Sequence, residues 1–438
     1  VTVLAFIIGV LVLVVGLAVS IALHEVGHLA PAKAFGVRVG QYMIGFGPRI
    51  FSRRIGETEY GFRLLPLGGF ISMAGMYPPS KAAAEGEPET GAPRRRRLFE
   101  SMIQDARVVN DETLKGDGGE RAFYRLPVYK RVIIMLGGPA MNLVLAIILF
   151  AIMFSGIGVQ TATTTVAAVN ECVLPAQTSK TACAAGDPVS PAAAAGIRPG
   201  DVIVSVDGTT VDTFAEASAI IQKSPEKTLP VVVDRDGARQ TLEVTPVLAT
   251  REVPAADGTM ATAEVGFVGM SATVAFVPQP IWEGPQAAIE QTGRVMGIIW
   301  QLPARVYQTA VDTFTGAGRD PNGPLSVVGA GRLAGEVAAT DAPILNRVSG
   351  MLAVLGSLNI ALFVFNLVPL LPLDGGHIVV ALWDGLKRVW ARLTGRRAPR
   401  PVDATKLVPV TYVVVIGLIL MAGTLVLADI VNPVQLFG

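Results

Sequence analysis

Charge is what this 438-residue sequence has least of: Asp, Glu, Lys and Arg make up 16% of it, against roughly 25% in an average soluble domain. With 51% hydrophobic residues and a mean hydropathy of +0.51, that deficit argues against one large water-soluble enzyme. It points to a membrane protein with soluble parts. The net charge is only +1, so no broad basic face for nucleic acid is indicated. Cysteine is almost missing: Cys172 and Cys183 are the two present, and their spacing is not the C-x-x-C of a zinc or redox motif. They are compatible with a structural disulfide on an oxidising side of the membrane, but spacing alone does not decide it. Histidine is scarcer than any catalytic argument would like, with His24, His28 and His377 as the full set.

What the chain does have is long apolar runs. A helix needs about 20 apolar residues to cross a bilayer. Val3 to Leu23 contains no charge, and without a basic leading region or a clear small-residue cleavage site it reads as a span and not as a secretory signal. Further spans are expected over about Val132 to Phe154, Met351 to Leu371 and Leu407 to Leu427, the third interrupted by Asn366, Pro369 and Pro372. Lys and Arg concentrate between the first and second spans, notably Arg94 to Arg97, and again between the third and fourth, at Lys387, Arg388, Arg392, Arg396, Arg397 and Arg400. Both loops are therefore expected on the cytoplasmic side, with the termini and the segment from about Ser155 to Gly350 outside.

Thr164 to about Met270 reads as a β-rich soluble domain. Val202 to Val206, Leu229 to Val233 and Thr241 to Val247 have strand character, and Asp207-Gly208 and Asp236-Gly237 are turn signals. Pro191-Ala-Ala-Ala-Ala-Gly196, followed by Ile197-Arg198-Pro199-Gly200-Asp201, resembles a PDZ domain. Such domains take extended peptides by strand addition; a β-rich spacer without a ligand is the plainer alternative. Ile281 to Phe314 is expected to be helical and superficial. Tyr77 to about Asp117 is poor in apolar residues, and is expected to be a flexible insertion.

Two of the three histidines form His24-Glu25-Val26-Gly27-His28 at the end of the first span. Positions i and i+4 share a helix face, so both imidazoles can reach one zinc ion, with Glu25 beside them as general base. Water is a poor nucleophile, and zinc lowers its pKa towards about 7. Chance capping histidines would be the bland explanation, but ionisable groups in a span are costly and usually functional. A catalytic zinc needs a third protein ligand. Glu57 and Glu59 lie among arginines and read as solvated charges, whereas Asp374 follows Asn366-Leu-Val-Pro-Leu-Leu-Pro-Leu inside an apolar span. Prolines break helices there only where protein lines a site. His377 has no motif behind it and reads as structural.

HEVGH in a first span, with N-x-x-P-x-x-P-L-D-G-G in a late one, resembles the site-2 protease family of intramembrane zinc metalloproteases, and among its bacterial members those of the regulator of sigma-E protease type. Gly45 to Pro48 and Leu65 to Phe70 resemble that family's re-entrant β region, Gly138 to Asn142 its second-span motif, and Gly323-Pro324 the segment before its third span. The resemblance implies a polytopic α-helical membrane protein with about four transmembrane helices, a membrane re-entrant β-hairpin region and an inserted extracytoplasmic PDZ-like domain. The expected boundaries are residues 1–35 for the first helix, 36–76 for the re-entrant region, 77–125 for a cytoplasmic insertion and 126–156 for the second helix. They continue with 164–270 for the PDZ-like domain, 281–345 for a surface helical segment, 350–390 for the third transmembrane segment and 405–431 for the fourth. His24, His28 and Asp374 would be the Zn2+ ligands, Glu25 the catalytic base, and Asn366 a group that holds substrate or stabilises the transition state.

The implied activity is cleavage of transmembrane segments of single-pass membrane proteins, such as anti-sigma factors already trimmed outside, in the inner membrane of a bacterium. The PDZ-like domain would exclude untrimmed substrates. One such domain is found where two in tandem are usual for that type, and the insertion around Arg94 to Arg97 is larger than expected. A silent membrane adaptor would have lost Glu25 or a ligand, and none is lost. A metal transporter would carry acidic or histidine residues along a path, not in one compact set.

Overall fold

The structure is a computed structural model. It describes residues 2–76, 78, 113–114, 119–174, 183–184, 186–254, 260–321, 323–397, 401–402 and 404–434. Most of the expected insertion at 77–125, with Arg94 to Arg97, lies outside the described residues. In chain order the elements are α1 (Thr2–Ala34), β1 (Val39–Ile55), β2 (Thr58–Met73), α2 (Val128–Ala151, continued by a π-helical turn to Ile157), β3 (Val159–Val169), α3 (Pro191–Ala194), β4 (Val202–Val206) and β5 (Thr209–Thr210). There follow α4 (Phe214–Gln222), β6 (Leu229–Arg235), β7 (Ala238–Val244), β8 (Val247–Pro254), β9 (Met260–Phe267) and β10 (Met270–Val277). The chain ends with α5 (Glu283–Ile299), α6 (Leu302–Thr315), α7 (Val327–Ala339), α8 (Ile344–Asn366), α9 (Asp374–Leu393) and α10 (Val408–Val431). Two units result, one of residues 1–156 with 280–438 and one of residues 157–279.

In the first unit, four helices are long and apolar enough to cross a membrane: Thr2–Ala34, Val128–Ile157, Ile344–Asn366 and Val408–Val431. Small residues and buried amides hold them, as is usual where lipid removes the hydrophobic drive for helix association. Gly27 of α1 and Gly137 of α2 face each other so closely that a Cβ on either would overlap the other's carbonyl. Asn359 of α8 donates to Ser20 Oγ of α1 at 3.0 Å, and Ser20 donates to the Gly16 carbonyl at 2.8 Å. Asp429 of α10 is buried against Arg319 and accepts the Ser326 amide at 2.7 Å, with Gly329 leaving room for its carboxylate.

The third segment, expected over 350–390 with an interruption at Asn366, Pro369 and Pro372, is two helices: α8 begins at Ile344 and stops at Asn366, and α9 starts anew at Asp374. Pro369 and Pro372 supply no backbone N–H and cannot continue a helix, so Leu367 to Leu373 turns instead. The expected surface segment 281–345 is superficial only in part. Its last helix, α7, packs on α1, where a Cβ at Gly9 would overlap the Ala334 carbonyl and one at Gly335 the Phe6 ring.

The strands β1 and β2 pair antiparallel, and the register doubles: Met43 lies opposite both Phe70 and Gly61, and Gly61 opposite both Met43 and Ser52. Four half-strands therefore lie side by side in the order 49–55, 58–63, 39–46, 65–73. The reversal in β1 needs Gly45 and Gly47, whose φ values of +94° and +87° suit glycine. Phe46, Ile50, Phe51, Phe62 and Leu64 are exposed on this layer.

The second unit contains a six-stranded sheet with the order β10-β3-β4-β6-β7, β5 lying off β4, and a separate β8–β9 hairpin. Alternation along β6 puts Leu229, Val231 and Val233 into the core with Ile203, Val206, Ala217 and Ile221. At the two Asp-Gly turns both residues have positive φ, at Asp207 and Gly208 and at Asp236 and Gly237, the geometry of a tight hairpin turn. Cys172 and Cys183 are joined as a disulfide.

Asp201, in the Ile197 to Asp201 turn, is 1% exposed and accepts a bidentate pair from Arg235 at 2.7 and 2.8 Å, plus the Arg198 amide at 2.8 Å. The Arg235 guanidinium holds its carboxyl below the usual carboxylate range. A lowered native pKa stabilises the fold above the ordinary Asp value of about 3.9, and that contribution is lost as pH falls through the lowered value. Asp201→Ala is expected to lower amide protection in this unit about tenfold at neutral pH, because the Arg198 amide loses its acceptor and Arg235 keeps only the Gly196 carbonyl and Gln240 Oε1. Amide hydrogen exchange of β4 and β6 across pH checks both magnitude and sign, and unchanged protection would remove the role given to this pair.

Candidate metal centre

The HEVGH run lies on α1, and its packing follows from what surrounds it. The Gly27–Gly137 crossing brings the α2 backbone onto the His-bearing turn, and Gly138 lies directly under the His28 ring, where a Cβ would overlap it. His28 is buried, and its Nδ1–H donates to the Ile134 carbonyl at 2.7 Å. That bond fixes the tautomer and leaves a lone pair on Nε2. Glu25 is also buried; its side chain rests on Gly69 in the 65–73 half-strand, where a Cβ would lie 2.9 Å from Glu25 Cγ.

Asp374 opens α9 and reaches the same point from the other end of the sequence. Its Oδ2 is 3.3 Å from His24 Nε2 and 3.3 Å from His28 Nε2, and the two Nε2 atoms are 3.2 Å apart. Asp374 Oδ2 is buried without a hydrogen-bond partner. Lone pairs on three atoms at such separations repel unless a cation lies among them. Zinc–nitrogen and zinc–oxygen bonds of about 2.0–2.2 Å in tetrahedral array put ligand atoms roughly 3.3–3.5 Å apart. The triangle of donor atoms is therefore the size that zinc requires, and its donor set, two imidazoles and a carboxylate, is one zinc accepts.

Of the residues singled out from sequence, His24, His28 and Asp374 come together as a possible metal-holding group, and Glu25 sits in the same turn. Asn366 is half-buried at the end of α8, eight residues before Asp374, and among the described residues no hydrogen bond ties it to the cluster. Glu57 and Glu59 lie elsewhere, paired with Arg121 and Arg49, each at 2.6 Å. His377 stays outside the triangle and lines a small cavity with Arg131 and Asp384.

In the sequence, Asn142 of α2 stands out only as part of the Gly138 to Asn142 motif. Its Nδ2 lies 3.2 Å from His24 Nδ1, and its Oδ1 is buried without a partner. With Nε2 facing the metal position, Nδ1 carries the proton and donates, which calls for the amide turned by 180° so that Oδ1 accepts. That turn satisfies both groups. No local pattern could have linked residue 142 to residue 24.

Comparison with known proteins places this architecture. A model of Peptidase family M50 matches residues 12–400, so the chain belongs to that family: it is a multi-pass membrane zinc metalloprotease. Zinc metalloprotease Rip1 of Mycobacterium tuberculosis is 34% identical over 444 residues, covering 99% of each chain. Rip1 of Mycolicibacterium smegmatis is 34% identical over 448 residues, with 98% of this chain and 99% of the relative covered. Metalloprotease MmpA of Caulobacter vibrioides is 26% identical over 395 residues, with 88% of each covered.

The close packing under the ring carries its own test. Gly138→Val is expected to displace His28 and lower bound zinc at least about tenfold, whereas Gly417→Ala, on α10 with open space around it, leaves it unchanged. Metal analysis of the purified variants checks this, and full zinc occupancy in Gly138→Val would refute the packing argument.

Proposed function

We propose that this protein cleaves peptide bonds inside the transmembrane segments of single-pass membrane proteins, using zinc held by His24, His28 and Asp374. The observation that carries the reading is the 3.2–3.3 Å triangle of donor atoms assembled from α1 and α9, beside a buried glutamate, on an apolar helix. His24 lies 22 residues into α1, about 33 Å along a helix and close to the thickness of the bilayer's hydrocarbon core. That supports an active site near one membrane face, the cytoplasmic one if the Lys/Arg-rich loops lie inside.

When bound, zinc supplies Lewis acidity that activates water and polarises the scissile carbonyl. The chain's own residues do the rest. Glu25 takes the proton of the attacking water and passes it to the leaving amine nitrogen, a transfer worth about 10²–10⁴ in rate. Asn142 and the Ile134 carbonyl hold the two imidazoles in the tautomer that leaves Nε2 free. Asn366, at the end of α8, donates to the oxyanion as charge develops.

A helical substrate shields its own amides and must unwind first. The 65–73 half-strand is the edge of its layer and touches Glu25 through Gly69, so an extended substrate added to that edge runs past the base. The exposed apolar side chains of the β1–β2 layer support its insertion into the membrane from one face as a re-entrant element. In the second unit, the Pro191 helix, the Ile197–Asp201 turn and the antiparallel sheet support a PDZ-like domain over 164–270 that receives an extended peptide. We further infer, from the resemblance to the bacterial members, an inner-membrane enzyme whose substrates resemble anti-sigma factors and arrive after a first cut outside, with this domain excluding untrimmed chains.

Glu25→Gln is expected to lower cleavage of a reconstituted single-pass substrate by at least about a hundredfold while retaining zinc. Asp374→Ala is expected to lose the zinc itself. Turnover by Glu25→Gln equal to wild type would end the assignment of the base, and zinc retained by Asp374→Ala would end that of the third ligand. Rates on one substrate with and without its extracytoplasmic domain test the trimming requirement; equal rates would remove it.

A further inference from the structure

The helix that begins with Asp374 does not end its work there. Over its 20 residues α9 carries Lys387, Arg388 and Arg392, and it is not among the four helices apolar enough to span a membrane. One face is packed into the protein through Gly375, Gly376, Ala381, Asp384 and Ala391. A second face is apolar yet bare: Leu382, Trp383, Leu386, Val389, Trp390 and Leu393 are 52–79% exposed. At about 100° per residue these side chains fall within an arc of roughly 120°. Lys387 borders the arc on one side and Arg392 on the other, and exposed Arg396 and Arg397 follow the helix end.

Of these cations only Lys387 has an acidic partner among the described residues, Asp384. Asp374 points into the metal centre, and Asp384 is buried, 3.0 Å from Arg131 and 2.7 Å from the Val402 amide, with Lys387 3.4 Å from its other side. The exposed surface thus combines an apolar stripe, two tryptophans seven residues apart and flanking positive charge. A water-facing helix would not leave two indoles bare, and a spanning helix would not carry three cations. Indoles favour the headgroup level, and basic amphipathic helices lie in the surface of membranes with anionic lipid.

We propose that α9 is an interfacial anchor that selects anionic phospholipid. Trp383, Leu386, Trp390 and Leu393 enter the acyl boundary, while Lys387, Arg392, Arg396 and Arg397 take the phosphates of phosphatidylglycerol-type headgroups. Phosphate contacts of this kind are each worth about a fivefold preference over zwitterionic lipid near a charged surface. On the reading of Asp374 as a zinc ligand, the bilayer surface then also orients the helix that delivers that ligand.

The test uses the full-length protein carrying Trp282→Phe and Trp300→Phe, so that Trp383 and Trp390 are the remaining tryptophans. It is reconstituted in phosphatidylcholine vesicles containing either brominated phosphatidylcholine or brominated phosphatidylglycerol. Quenching by both lipids is expected, with phosphatidylglycerol favoured at least about fivefold at low salt. The preference should vanish at about 1 M salt, where screening is short-ranged, and in the variant Lys387→Gln, Arg392→Gln, Arg396→Gln, Arg397→Gln. Equal quenching by the two lipids in the parent, or a preference that survives the four substitutions, would overturn the proposal. Absence of quenching by either lipid would also overturn it and would assign the face to a protein partner. Zinc content, measured alongside, is expected to be unchanged in the four-site variant. Failure of the lipid proposal is thereby distinguishable from failure of the site reading, which Asp374→Ala reports.

Discussion

Everything in the first unit depends on holding three unprotonated donor atoms within 3.3 Å of one another. Two imidazole lone pairs and a carboxylate oxygen at that distance repel, and a low-dielectric setting strengthens the repulsion. Such a cluster is stable only around a cation, and only if the surrounding protein fixes each donor. The fixing is done by groups with no chemistry of their own: the Ile134 carbonyl on His28, the Asn142 amide on His24, and glycines at 27, 137 and 138 that let α2 lie against the His-bearing turn.

The same constraint explains the broken third segment. A continuous helix through 350–390 would carry Asp374 past the histidines as one more residue of a rod. Ending α8 at Asn366 and turning through Pro369 and Pro372 lets Asp374 start a helix of its own. Gly375 and Gly376 then pack against the Leu367, Val368 and Leu370 backbone, where a Cβ would overlap. The carboxylate is thereby aimed back at α1. The turn also separates a span from an amphipathic helix: α8 is long and apolar enough to cross a membrane, whereas α9 has a packed face, a bare apolar face and flanking cations. One break in the chain therefore both brings Asp374 to the two histidines and starts an amphipathic helix.

Access to the site follows from the β1–β2 layer. Its doubled register puts the 65–73 half-strand at an edge, and Gly69 lets that edge approach Glu25. An edge strand is normally a liability, because its unpaired amides and carbonyls recruit other chains. On the proposed role of Glu25 as base, a strand added to this edge runs past the catalytic group. The second unit is held by different means, an alternating β core and the ion pair of buried Asp201 with Arg235.

The amino-acid sequence by itself determined what short-range periodicity and composition control. These are four apolar helices, His24 and His28 on one helical face with Glu25 between them, two Asp-Gly hairpin turns, and Asp374 as the acidic residue beside a proline-broken apolar run. Each is local, because i to i+4 spacing, strand alternation and proline's missing N–H act within a few residues. Only the tertiary structure decided which distant groups meet. The approach of Asp374 to His24 across 350 residues, the support of His24 by Asn142 and of His28 by Ile134, the close crossing at Gly27 and Gly137, the packing of α7 on α1, and the doubling back of β1 and β2 leave no periodic trace. Contacts between remote segments depend on how whole helices cross and where small residues let them touch, and no window of sequence contains both partners.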